Sequence, residues 1–178
     1  MMGEETFHPD TRALLAYGRT LAGTGAPNPK KHGRADQVLE RLFVIERTRD
    51  NRWPIRTFGA DLVKVFGRDL KDYDFARFWL APDRDLLVAL IDACAAAGEP
   101  CIARVTAETA CGKVLGAEIL ITPLKVEQAL GERYLGLFQT LGGEAFLDAR
   151  PIQRLRLGSL HPPQAKAPKG VRLVVSNE

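Results

Sequence analysis

Three cysteines, three histidines and one glycine-lysine turn are the residues here whose types and spacing could do chemistry. Cys94 falls on the apolar face of a helical pattern, where a free thiol packs as a small hydrophobe and could respond to an oxidant. Cys101 and Cys111 lie on successive strand patterns, so a redox pair between them competes with Cys111 as a simple turn residue. His8, His32 and His161 stand outside the central strand and helix patterns, and no Cys/His pair has the spacing of a zinc site. Gly112-Lys113-Val114-Leu115-Gly116 lacks the spacing and following helix of a phosphate loop and reads as a hairpin turn. Arg56 sits mid-strand before a glycine turn, within reach of Asp61, Asp69 or Asp72 for an ion pair, or open to an anionic ligand; the ion pair is the preferred reading. No carboxylate pair or Ser/His/Asp set stands out, so the chain reads as no enzyme.

Composition sets the frame for these residues. At 178 residues, 46% apolar and 26% charged, the chain has the makeup of one globular domain with terminal extensions. An odd cysteine count and the polar start MMGEETFHPD point to a reducing cytoplasm. No apolar run approaches the roughly 20 residues of a membrane span. Arg150, Arg154, Arg156, Lys166, Lys169 and Arg172 against Glu178 give residues 150–178 a net charge of +5, within +3 overall. Such a basic tail is either a solvated extension, the preferred reading, or a nucleic-acid contact.

Leu14, Tyr17, Gly18 and Leu21 predict an amphipathic helix over 10–22, followed by the loop GTGAPNPKKHGR and a helical piece near 35–41. LFVIERT and WPIRTF predict two strands joined at Asp50-Asn51, with Pro54 suiting a strand start. From Trp53 to Trp79 a strand, a turn at Gly59, a short helix ending at Gly67 and a second aromatic helical segment follow one another. Leu87, Leu90, Ile91 and Cys94 mark a long helix that opens at Pro82 and stops at Gly98 and Pro100. PCIARVTAE, VLGAEILITPL (Leu115, Ala117, Ile119 and Ile121 on one face) and RYLGLFQTL predict three more strands, with the KVEQALGE loop before the last. Gly142-Gly143 closes the compact region, and VRLVVS could add a strand to a free edge.

The predicted fold is α+β, a five-stranded antiparallel sheet with helices mainly on one face plus an N-terminal helix. Three regions result: an N-terminal helix and loop (1–34), a core (35–142) and a basic, proline-containing extension (143–178).

This order of elements resembles a PAS domain. Arg56-Thr57-Phe58-Gly59, Phe66-Gly67, Asp69-Leu70, Gly98-Glu99-Pro100 and Thr122-Pro123-Leu124 are similar to the small single-domain PAS proteins of alphaproteobacteria, from about Leu14 to Leu141. The resemblance implies a stand-alone sensory or regulatory domain acting through protein contacts, a homodimer with a protein partner in a regulatory pathway. It also implies a cavity between sheet and helical crossover that could hold a small apolar or anionic ligand. Arg56, Phe66, Tyr73, Phe75, Phe78, Trp79, Ile91 and Cys94 are the candidate cavity residues, although the same aromatic residues would also serve to fill the core. Leu14, Tyr17 and Leu21 are the candidate interface, with packing over the protein's own sheet as the alternative. No cofactor is evident. A flavin photoadduct is disfavoured because GRDLKDYDF, after Phe66, holds no cysteine, and histidine-ligated haem because no histidine falls within the core pattern. Nucleic-acid association through the basic tail is the alternative function.

Overall fold

The computed structural model describes residues 6–22, 38–125 and 131–163. Helix α1 (Pro9–Ala22) is followed by strand β1 (Leu42–Arg47), which turns through Asn51 into β2 (Ile55–Phe58). Helix α2 (Ala60–Phe66), a 3-10 turn (Phe75–Phe78) and helix α3 (Ala81–Ala97) then cross over to β3 (Cys101–Thr109) and β4 (Val114–Leu124). Strand β5 (Glu132–Thr140), a second 3-10 turn (Glu144–Leu147) and β6 (Ile152–His161) complete the order. The strands form one antiparallel sheet in the order β2-β1-β5-β4-β3-β6.

Local chemistry sets these boundaries. A proline in the first turn of α3 removes an amide that would lack a helical acceptor. Gly98 stops the helix at φ 65°, a left-handed turn that glycine adopts without steric cost. Leu87, Leu90, Ile91 and Cys94 form the buried face of α3, as their spacing predicts. Strand alternation then gives the sheet two apolar faces. Phe43, Ile45, Ala103, Val105, Ala117, Ile119, Ile121 and Phe138 point into the main core under the helical crossover. Ile102, Leu120 and Leu137 point the other way and are covered by Phe7, Leu14 and Leu15. Covering each of these leucines contributes on the order of 2 kcal/mol, so α1 belongs to the folded body.

The sheet has six strands where the sequence predicts five, and the chain does not leave the body at Gly142-Gly143. Both glycines have positive φ and turn the chain back. Leu147 is then buried, and β6 pairs along β3 from Thr109↔Ile152 to Ile102↔His161. Ile152 and Leu155 reach the core while Arg154 and Arg156 face away, and two register shifts against β3 break the two-residue period. That irregular pattern, bracketed by Pro151 and Pro162, reads as linker in the sequence. His161 is likewise not outside the body: it ends β6, its ring edge-on to Phe7 at 4.9 Å. Loop 23–34 with His32, the first three residues of the piece at 35–41, residues 126–130 and the VRLVVS pattern lie outside the described residues.

Candidate functional site

The crossover and the sheet enclose an aromatic cluster. Phe66 lies 4.7 Å from Phe78 and 5.2 Å from Phe138, and Tyr73 lies 4.8 Å from Phe78. Phe75 stacks on Phe43 at 5.2 Å and meets Trp79 edge-on at 6.1 Å. Gly136 opposes Phe43 across β5 and β1, and a Cβ there would lie 2.2 Å from the Phe43 ring. The missing side chain is what lets that ring lie flat against the strand. Ile91 and Cys94 close the same core from α3. Seven of the eight candidate cavity residues are therefore brought together.

Arg56 is not among them. It donates to Asp72 Oδ1 at 2.5 Å and Glu46 Oε1 at 3.2 Å, a partly exposed ion pair on the sheet's rim. Hydrogen bonding from Arg56 holds the Glu46 carboxyl below the usual carboxylate range.

Two indoles in this core carry a donor without an acceptor. Trp53 and Trp79 are almost wholly buried, yet neither Nε1–H has a hydrogen-bond partner among the described residues. An unpaired buried donor costs about 1–3 kcal/mol. Trp53 also lines a surface cleft of about 320 Å³ with Asn51, Ala76, Arg84, Asp85, Val88, Ala89 and Asp92. The Arg47 guanidinium lies 5.2 Å from the centre of the Trp53 ring and donates to Asp92 at 2.7 Å and Asn51 at 3.2 Å. Arg84, on the other side, is tied to the carbonyls of Ala76 and Trp79 at 3.1 Å each. Behind Trp53, 5.7 Å between ring centres, stands Tyr134, whose hydroxyl is pushed up in pKa by burial and by Glu132. The sequence singles out neither Trp53 nor Tyr134; a tryptophan directly before Pro54 was the available signal.

Of the candidate interface residues, Leu14 packs on the protein's own sheet and Tyr17 stands 37% exposed. The Leu21 side chain lies outside the described residues. Beneath α1, Glu118 is fully buried on the outer face of β4. It accepts the His8 amide at 3.0 Å and faces Arg104 at 3.4 Å.

Cys101 and Cys111 do not meet, and Cys111 is the turn residue that its sequence context favours. Cys101 is buried at the first position of β3, whereas Cys111 is exposed in the hairpin beyond that strand's far end. Cys94 is buried in the same core as Cys101, and its thiol donates to the Ile121 carbonyl at 3.4 Å. The Cys111 thiol is brought down to about 7 by the Thr109 hydroxyl and Arg150. Among the described residues no three His, Cys, Asp or Glu side chains cluster as a metal site. Of the tail's six bases, Arg154 and Arg156 belong to β6, and Arg156 faces Glu108 at 3.4 Å.

A family model described as a PAS domain matches residues 6–139. No protein of curated function matches the sequence. Among solved structures, a light-oxygen-voltage domain described with a flavin analogue is 20% identical, covering 65% of this chain and 90% of that one, with a TM-score of 0.46. A fungal light-oxygen-voltage photoreceptor is 16% identical over 71% of this chain and 91% of its own, TM-score 0.48. The dark structure of the Aureochrome1 light-oxygen-voltage domain is 13% identical over 68% and 89%, TM-score 0.47.

Proposed function

This chain belongs to the PAS domain family, and from that premise we propose that it is a cytoplasmic regulatory module, not an enzyme, that senses a small molecule beside Trp53. It passes its state to a protein partner, and it works as a homodimer. One observation carries the ligand reading: the buried Trp53 Nε1–H without an acceptor, in a residue that lines a 320 Å³ cleft. A buried donor of this kind is stabilised by an oxygen brought from outside the chain. The cleft is lined by Ala76, Val88 and Ala89 beside Trp53, together with Arg84, Asp85 and Asp92, and Arg47 lies over the indole ring. That combination favours a small, mainly apolar molecule with a carbonyl oxygen for the indole donor.

No photoadduct enters this reading, because Gly67 to Phe75 offers no cysteine. The exposed Tyr17 on α1 supports a contact with a second subunit, as does the helix's position on the outer face of the sheet.

Native mass spectrometry of the full chain tests both parts at once. The expected result is a dimer mass with a bound small molecule, and loss of that molecule in Trp53→Phe, which keeps the ring and removes the donor. A monomer carrying nothing would overturn the reading.

A further inference from the structure

Asp74, Asp83, Asp85 and Asp92 stand at or beside residues of the Trp53 cleft, and all but Asp85 are engaged. Asp74 accepts the Trp53 and Ala76 amides at 3.1 Å each. Asp83 accepts the Leu157 amide at 3.0 Å, and Asp92 accepts Arg47 at 2.7 Å. Asp85 is different. It lines the cleft one helical turn before Ala89 and two before Asp92, and no residue among those described pairs with it. Arg84, next to it, donates from Nε and Nη2 to the Ala76 and Trp79 carbonyls. No carboxylate among the described residues pairs with the Arg84 charge.

Resting on the reading of Trp53 as the donor to a ligand oxygen, we propose that this cleft takes a small protonated amine that also carries a neutral carbonyl, such as the amide of an apolar amino acid. The indole Nε1–H and the Arg84 charge both favour an oxygen. Asp85 supplies the opposite sign, an acceptor for the ammonium. A ligand carboxylate would instead add a negative charge to a lining that already holds Asp85 and Asp92 against Arg84. The oxygen is therefore that of an amide or an ester. Ala76, Val88 and Ala89 line the same cleft and suit an aliphatic side chain.

The test is a nuclear magnetic resonance titration of the folded, isotope-labelled full chain. With two tryptophans the spectrum holds two indole N–H signals, and Trp53→Phe identifies its own by removing it. Leucinamide is expected to shift the Trp53 indole signal downfield in a saturable way. N-acetyl-leucinamide keeps the carbonyl and the side chain but loses the cation, and it should bind about fivefold to tenfold more weakly. Asp85 is exposed, so Asp85→Asn keeps the fold. In that variant the affinity for leucinamide should fall to that for the acetylated probe.

Equal affinities of the parent protein for the two probes would overturn the amine. So would an Asp85→Asn variant that binds leucinamide like the parent. Either result leaves the carbonyl reading at Trp53 standing. A Trp53 signal that neither probe moves would overturn the whole ligand class, whatever native mass spectrometry finds bound.

Discussion

Arg104 lies 3.4 Å from Glu118 across the β3–β4 ladder, and the carboxylate it faces is completely buried beneath the N-terminal segment. The same guanidinium donates to the Thr6 carbonyl at 2.6 Å and lies 5.0 Å from the centre of the Phe7 ring. One side chain thus fastens the chain's beginning to the outer face of the sheet. Removing it leaves a buried carboxylate without its charge partner, which costs about 3–5 kcal/mol. Arg104→Ala is therefore expected to lower the urea midpoint far more than Glu118→Gln, which keeps the shape and removes the charge. Equal midpoints for the two variants would show that the pair contributes nothing as a pair.

Gly136 and Phe43 make a second close fit, since any Cβ at 136 would fall inside the ring's contact radius. Gly136→Ala should destabilise by about 1–3 kcal/mol through overpacking. Combining it with Phe43→Leu should cost less than the sum of the two single changes. Thermal unfolding of the four proteins measures that coupling; simple additivity would remove the argument.

Strand β6 makes its own prediction. Leu155 is fully buried in the main core, so Leu155→Ala should cost about 2–5 kcal/mol. A chain ending at residue 143 loses Leu147, Ile152 and Leu155 from the core together and should not fold cooperatively. Circular dichroism melts of both proteins provide the check.

Cys111 titrates in the neutral range because the Thr109 hydroxyl, and then Arg150, favour its thiolate. Its alkylation rate by iodoacetamide should reach half its maximum near pH 7, and Thr109→Val should move that midpoint upward. The folded value lies below the ordinary 9.0, so the thiolate's contribution to stability is complete above pH 9 and is lost as pH falls through 7. Stability should therefore rise between pH 7 and pH 9 by more in the parent protein than in Cys111→Ser. An alkylation midpoint near 9 would contradict the geometry at the turn.

The parts of the fold that read directly from the sequence are those whose periodicity is undisturbed. Leu87, Leu90, Ile91 and Cys94 repeat at helical steps, and Leu115, Ala117, Ile119 and Ile121 alternate cleanly, so α3 and β4 are legible before any coordinates. Strand β6 is not, because its bulges break the alternation and its arginines resemble a tail. The aromatic cluster was legible as a set of residue types, but the burial of Trp53 without an acceptor is a property of packing. The contact of the Cys94 thiol with the Ile121 carbonyl is equally hidden. It depends on how the turn at Gly98 aims the end of the helix at a strand partner, Ile121, that lies 27 residues along the chain from Cys94.

The two outer strands have a consequence for how this protein meets others. Along β2, Ile55 bonds to Tyr73 and Asp72, and Pro54 bridges Asp74. Along β6, Trp79 bridges Leu155, and the Leu157 amide is held by Asp83 at 3.0 Å. Over these stretches the backbone groups that could recruit a foreign strand are already engaged, and Arg154 and Arg156 add charge beside them. Sheet growth from chain to chain, the route to fibrous aggregates, is blocked where the edges are sealed. A partner must instead read side chains on the faces and rims of the fold, so recognition rests on their chemistry and not on generic backbone pairing.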